Sequence, residues 1–168
     1  MPQLRTQRLS LRTTEQRDLD AVATLWGDAD GGQYMPDPYY KSGDEIKEIL
    51  EDDPDCPVYY FVATRPGSDE IIGTCSLGFE NAASVEYSIG YNVKKDYWGN
   101  GYAGEMVYAL IDFARGLGIK SITAPVAQAN NASNRVMEKC GFAIVGEGSF
   151  TKSGTDIVHA TFIYRLIL

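Results

Sequence analysis

Residues 85–93 alternate without a break, with Val85, Tyr87, Ile89, Tyr91 and Val93 on one side and Glu86, Ser88, Gly90 and Asn92 on the other. Strict alternation is the period of a half-buried strand. The run GNGYAG follows at residues 99–104 and opens a helical pattern, so several backbone N–H groups converge at a positive helix end. A phosphate group is the natural ligand of such a turn. The order strand, glycine-rich turn and helix commits the centre of the chain, and the remaining elements must pack around it. Gly90 inside so regular a strand costs stability, and a bulge or the close approach of another backbone is the usual reason.

The flanking segments supply the rest of a mixed sheet. Residues 9–13 read as a short strand, and Thr13 and Gln16 have the spacing of a capping box for a helix with Leu19, Val22, Ala23 and Trp26 on one face. A loop with Gly31, Gly32, Pro36 and Pro38 leads to a short acidic helix whose apolar side is Ile46, Ile49 and Leu50, ended by Pro54 and Pro57. Residues 58–64 and 71–79 form a hairpin around the turn RPGSD. Ala103, Met106, Val107, Leu110, Ala114 and Leu117 give a helix from about Gly101 that stops at Gly116 or Gly118. A short buried strand at 122–126, a helix at 131–140 closed by Gly141, and a last hairpin of 143–150 with 157–168 complete the chain. The order β-α-α-β-β-β-α-β-α-β-β belongs to the α/β class (mixed α+β), a mixed sheet with helices on both faces. No repeat or linker divides it, so residues 1–168 are expected to form a single domain.

Charge narrows the partners. Fifteen Lys and Arg against 23 Asp and Glu give a net charge of -8, which argues against nucleic acid and anionic membranes. The excess is local, because residues 27–56 alone hold ten acids and two bases. Cys56, Cys75 and Cys140 form no paired spacing and His159 is the one histidine, so no metal site is expected and the thiols read as reduced. With no apolar leader and no run of 18 apolar residues, a cytoplasmic protein is expected.

GNGYAG also satisfies the dinucleotide fingerprint G-x-G-x-x-G. Two features weigh against that use. Residues 94–98 separate the strand from the first glycine, and no Asp or Glu occurs between Asp112 and Glu138, where a ribose-binding acid belongs.

Four segments in order resemble the GNAT superfamily of acyl-CoA-dependent N-acetyltransferases, and specifically its Rim-type branch of ribosomal-protein N-terminal acetyltransferases. They are TQRLSLR at 6–12, IGYNV at 89–93, YWGNGYA at 97–103, and NNAS at 130–133 continuing to EKCGF at 138–142. The resemblance implies the GNAT fold, a single open twisted mixed sheet of about seven strands flanked by four helices and splayed at a slot for CoA. Acetyl-CoA is the implied cosubstrate, with no metal. Its pyrophosphate would rest on the amides of Gly99, Asn100, Gly101, Tyr102 and Ala103 beside Trp98, and its pantetheine would lie like an extra strand along Tyr91, Asn92 and Val93. Asn130 would orient the pantetheine, and Asn134 would either do the same or sit in solvent. The Gln or Arg that the family usually places three residues before the first glycine is Asp96 here, leaving the phosphates to backbone dipoles. A bulge in the strand holding Gly90 would part it from residues 122–126.

The resemblance also orders the candidate catalytic groups. Glu86 and Ser88 share the face of Gly90, and since the family often has Glu where Ser88 stands, Glu86 would act as base through water. An N–H near Tyr91 would serve as oxyanion donor. The position where many relatives carry an acidic Tyr is Met137, and Ser133 matches the Ser proposed in the Rim branch to protonate the thiolate. Tyr34, Asp30 and Asp37 would form an acidic, aromatic wall for the acceptor.

The function implied is acetyl transfer from acetyl-CoA to a primary amine, either a protein N-terminus or a small cationic molecule, by direct attack on the thioester. The alternative is a non-catalytic acyl-CoA-binding sensor module, and a monomer or homodimer is expected.

Overall fold

A computed structural model describes residues 2–50, 57–79 and 86–168, the Glu48 side chain excepted. The chain runs β1 (Gln3–Arg5), β2 (Ser10–Thr13), α1 (Leu19–Trp26), α2 (Asp44–Lys47), β3 (Val58–Thr64), β4 (Ile71–Gly78), β5 (Tyr87–Val93), α3 (Tyr102–Gly116), β6 (Ser121–Ala127), α4 (Asn131–Lys139), β7 (Ala143–Thr151) and β8 (Val158–Ile167). Glu51, Asp52, Asp53, Asp55 and Cys56 of the acidic segment, together with Pro54 and Val85, lie outside the described residues.

The strands form one open sheet in the order β1-β2-β3-β4-β5-β6-β8-β7. That is one strand more than the expected seven. The addition is β1, which pairs with β2 from Gln3↔Arg12 to Arg5↔Ser10 and is too short to show a period of its own. Neighbours are antiparallel except β5 and β6, which are parallel. A parallel pair needs a crossover, and α3 provides it.

Alternation along the central strands feeds two cores on opposite faces. Phe61 and Ala63 of β3 join Ile89 and the buried side of α3, formed by Met106, Val107, Leu110, Ile111 and Ala114. Val62 turns the other way and packs with Leu19, Val22, Ala23 and Trp26 of α1 and with Ile46 of α2. Each of these larger side chains contributes about 1.5–3 kcal/mol by leaving water, so both faces of the sheet are held by burial. The helix-start box, however, lies two residues beyond the expected pair. Glu15 N–H donates to Asp18 Oδ2 at 2.8 Å, and Arg12 grips the same carboxylate with contacts of 2.6 and 2.8 Å.

Candidate active site

The sheet comes apart at its one parallel seam. Among the described residues β5 and β6 pair at Tyr87↔Ile122 and Ser88↔Thr123 and not beyond. Beyond that point β5 stays in register with β4 as far as Val93↔Gly73, while β6 follows β8 as far as Ala127↔Thr161. Pro125, which has no N–H to offer a ladder, lies in the separated stretch of β6. A cavity of about 640 Å³ fills the gap, lined by Ser88, Gly90 and Tyr91 on one side and by Pro125, Val126 and Ala127 on the other. The expected bulge at Gly90 is absent, since the β4 ladder runs through Ser76↔Gly90 without a shift. A Cβ at Gly90 would meet Ser76 Oγ at 3.1 Å and otherwise open space, so the glycine keeps the floor of the gap low.

Ser133 stands at this gap on the first turn of α4. The helix cap is Asn130, whose Oδ1 accepts from Ser133 N at 3.1 Å. Capping therefore leaves the Ser133 hydroxyl to another partner, and it meets Tyr91 Oη at 2.5 Å. Burial pushes the Tyr91 phenol up to about 12, against the opposing pull of its bond to Ser133, so the pair is neutral across the physiological range. Asn134, expected to orient the cofactor, is instead spent inside the protein. Its Nδ2 donates to the carbonyls of Ala127, Gln128 and Asn130, and its Oδ1 accepts from Tyr164 Oη at 2.9 Å. Asn92 is likewise engaged, its Nδ2 lying 3.1 Å from both Gly31 O and Met35 Sδ. Met137 is wholly buried in the core.

The glycine-rich turn opens α3 with Gly99 at φ 75° and Gly101 at φ 79°, both in the left-handed region where a side chain is strained. No side chain caps the N–H groups of the first turn, and a Cβ at Gly99 would have nothing within 4 Å. Asn100 supports the turn by donating to the carbonyls of Tyr97 and Trp98 at 3.0 Å each. Trp98 Nε1 donates to Val93 O at 2.6 Å and so claims the last carbonyl of β5. One cation at the turn has no local sequence signal. Arg8 lies over the Tyr102 ring at 4.7 Å, with a guanidinium nitrogen 3.6 Å from where a Cβ on Gly101 would be. The same guanidinium pairs with Glu105 of α3 at 2.7 Å, and Glu105 also accepts from Thr6. The negative side chain in the first turn of α3 is therefore neutralised beside the place where a phosphate would rest.

The catalytic and acceptor-side candidates divide. Ser88 lines the cavity. Glu86 sits one residue before β5, and its carboxylate joins Arg165 at 2.6 Å and Ser121 at 3.0 Å. The hydrogen bond from Arg165 and then that from Ser121 hold this carboxyl below its usual range, which makes it a poor proton acceptor. Asp30 turns to Lys95 at 2.5 Å. Asp37 lines the cavity and accepts from Tyr40 Oη at 2.9 Å, while Tyr34 lines it with an edge contact to His159 at 5.4 Å. Among the described residues no cluster of His, Cys, Asp or Glu is placed to hold a metal ion, and no helix is long and apolar enough to cross a membrane.

Comparison with known proteins bears on the family and the fold. The family described as acetyltransferase (GNAT) domain matches residues 8–143. An uncharacterized N-acetyltransferase, p20, of Bacillus licheniformis is 28% identical over 147 residues, covering 84% of this chain and 83% of the relative. Spermidine N-acetyltransferase from Vibrio cholerae, solved in complex with CoA and spermine, superposes with a TM-score of 0.80 at 21% identity, covering 96% of both chains. Ribosomal-protein-S5-alanine acetyltransferase from Vibrio fischeri superposes with a TM-score of 0.75 at 17% identity over 99% of this chain and 97% of that one. At these identities the two solved structures establish the shared fold.

Proposed function

Since the chain belongs to the acetyltransferase (GNAT) family, we propose that it moves an acetyl group from acetyl-CoA to a primary amine by direct attack on the thioester. The observation that carries this reading is the gap between β5 and β6, whose cavity is lined by Tyr91, Ser133, Ser88 and Asp37, in a chain whose next helix after β5 opens with the uncapped turn at Gly99 and Gly101. The residues present fit acetyl-CoA. The turn offers free amides for a pyrophosphate, Arg8 cancels the charge of Glu105 beside it, and the separated edges of β5 and β6 leave room for an extended arm. Bound acetyl-CoA supplies the acyl carbon and accepts the electron pair of the broken C–S bond as a thiolate.

The protein's own groups then have distinct tasks. Ser133 delivers a proton to the sulfur, Tyr91, hydrogen-bonded behind it, passes its own proton on to Ser133, and the proton that the acceptor releases to water restores the Tyr91 phenol. An N–H near Tyr91 holds the developing oxyanion. Glu86 is committed to Arg165, so the acceptor ammonium releases its proton to water beside Ser88 and Ser76. Asp37 and the aromatic lining favour a cationic amine, the class to which both a protein N-terminus and a polyamine belong. The Rim-type reading and the polyamine reading share this chemistry. Titration calorimetry tests the cosubstrate: saturable acetyl-CoA binding that weakens in Gly101→Val supports the reading, and no binding refutes it.

A further inference from the structure

The most completely buried cation in the described chain is Lys152. Lys152, in the β7–β8 connection, has no exposed surface, and burial lowers the affinity of its amine for the proton. Its Nζ donates to Gly32 O at 2.8 Å, Met35 O at 3.2 Å and Asp37 O at 2.6 Å, which uses all three ammonium protons. The Tyr39 ring lies 4.1 Å from the same nitrogen, and Ser153 N–H donates to Pro36 O at 2.9 Å. An ammonium without exposed surface is costly unless its partners are fixed, so these carbonyls are held in one arrangement.

The segment so held also has a second anchor. Asn92, on β5, donates to Gly31 O and Met35 Sδ. One short segment is therefore tied to β5 by Asn92 and to the β7–β8 connection by Lys152. Those two anchors belong to opposite halves of a sheet whose direct β5–β6 ladder has two residue pairs among the described residues. Tyr34, Met35, Pro36 and Asp37 of this segment line the cavity.

We infer that residues 31–37 form a strap across the divided sheet and that Lys152 is a positioning residue which sets the shape of the acceptor side of the cavity. Lys152 touches neither the gap edge at Tyr91 nor the glycine-rich turn, so its influence is on acceptor selection and not on CoA. The kinetic part of this inference rests on the acetyltransfer reading, whereas the structural part stands alone.

The test uses the full chain with Lys152→Met, with Tyr39→Leu as a milder variant that removes the ring and no hydrogen bond, and with Leu11→Ala as a destabilised control remote from the cavity. Backbone hydrogen exchange of peptides spanning residues 27–40 rises about tenfold or more in Lys152→Met while that of α3 is unchanged, and Tyr39→Leu moves the same peptides by less. With spermidine and a Ser-initiated hexapeptide as probe acceptors, acceptor KM rises about tenfold and acetyl-CoA KM stays within about twofold. Leu11→Ala changes neither ratio. Exchange that is unchanged at 27–40, or that rises equally in α3, overturns the strap. Acceptor and acetyl-CoA KM rising together, with exchange local to the strap, overturns the selective role alone. If neither probe is acetylated by the unaltered chain, the acetyltransfer reading fails for these acceptor classes while the exchange result still decides the strap.

Discussion

Tyr91 Oη and Ser133 Oγ lie 2.5 Å apart, joining β5 to the first turn of α4 across the gap in the sheet. Neither residue is needed to cap α4, because Asn130 does that. If the two hydroxyls pass one proton to the leaving sulfur, Tyr91→Phe and Ser133→Ala each lower kcat about a hundredfold with acetyl-CoA KM nearly unchanged. The double variant is then no worse than the poorer single one. Additive losses in steady-state kinetics would separate the two groups.

Proton loss from the acceptor has a different signature. With Glu86 fixed to Arg165 and the Tyr91 phenol raised to about 12, no group of this pair titrates between pH 6 and about 9. The logarithm of kcat/KM therefore rises with pH as the free-amine fraction grows, through the whole window for a polyamine and to a plateau above about pH 8 for a peptide α-amine, and Glu86→Gln leaves the profile in place. A loss of about a hundredfold in Glu86→Gln at pH 8, with the fold intact, would return the base role to Glu86.

Gly101 enters α3 at φ 79°, so Gly101→Ala places a side chain in a conformation costing about 1–2 kcal/mol. If the strain falls on the bound turn, acetyl-CoA KM rises about tenfold. Arg8→Ala leaves the Glu105 charge unopposed at the same place and raises KM likewise. Both effects vanish when S-acetylpantetheine, which lacks phosphate, replaces acetyl-CoA in the same assay.

Stability has its own acid-sensitive site. Asp18 is nearly buried; although burial raises its pKa, the hydrogen bonds from Arg12 and from the Glu15 backbone dominate and hold it below the usual range. A carboxyl depressed in the folded state contributes stability above its unfolded pKa and loses it as pH falls through the folded one. Asp18→Asn should cost about 2–4 kcal/mol at pH 7 by urea unfolding, and the gap to the unaltered chain should close below about pH 4.

What the sequence shows and what it hides follow from distance along the chain. The β5 alternation from Tyr87 to Val93, the turn at Gly99 and Gly101 and the apolar face of α3 are local patterns, and each appears in place. Arg8 beside Glu105, Glu86 against Arg165 and Lys152 under Gly32 join residues 97, 79 and 120 positions apart, and no short-range period marks such pairs. Asn134 is ambiguous for a related reason, because an amide near a helix start suits a ligand as well as the carbonyls of Ala127 and Gln128, which it meets in the fold. Gly90 inside a strand signals only a cost to that strand. Its register shows that the gap opens on the β6 side while the β4 ladder stays whole.

The central claim is catalysis of acetyl transfer in the gap between β5 and β6. Incubating the chain with acetyl-CoA and a panel of primary amines, with free thiol and acetylated amine both quantified, tests it most directly. The account predicts equal amounts of the two products and loss of both in Ser133→Ala. Saturable acetyl-CoA binding with no thiol release toward any N-terminal peptide, polyamine or small amine would contradict it and leave an acyl-CoA-binding module in its place.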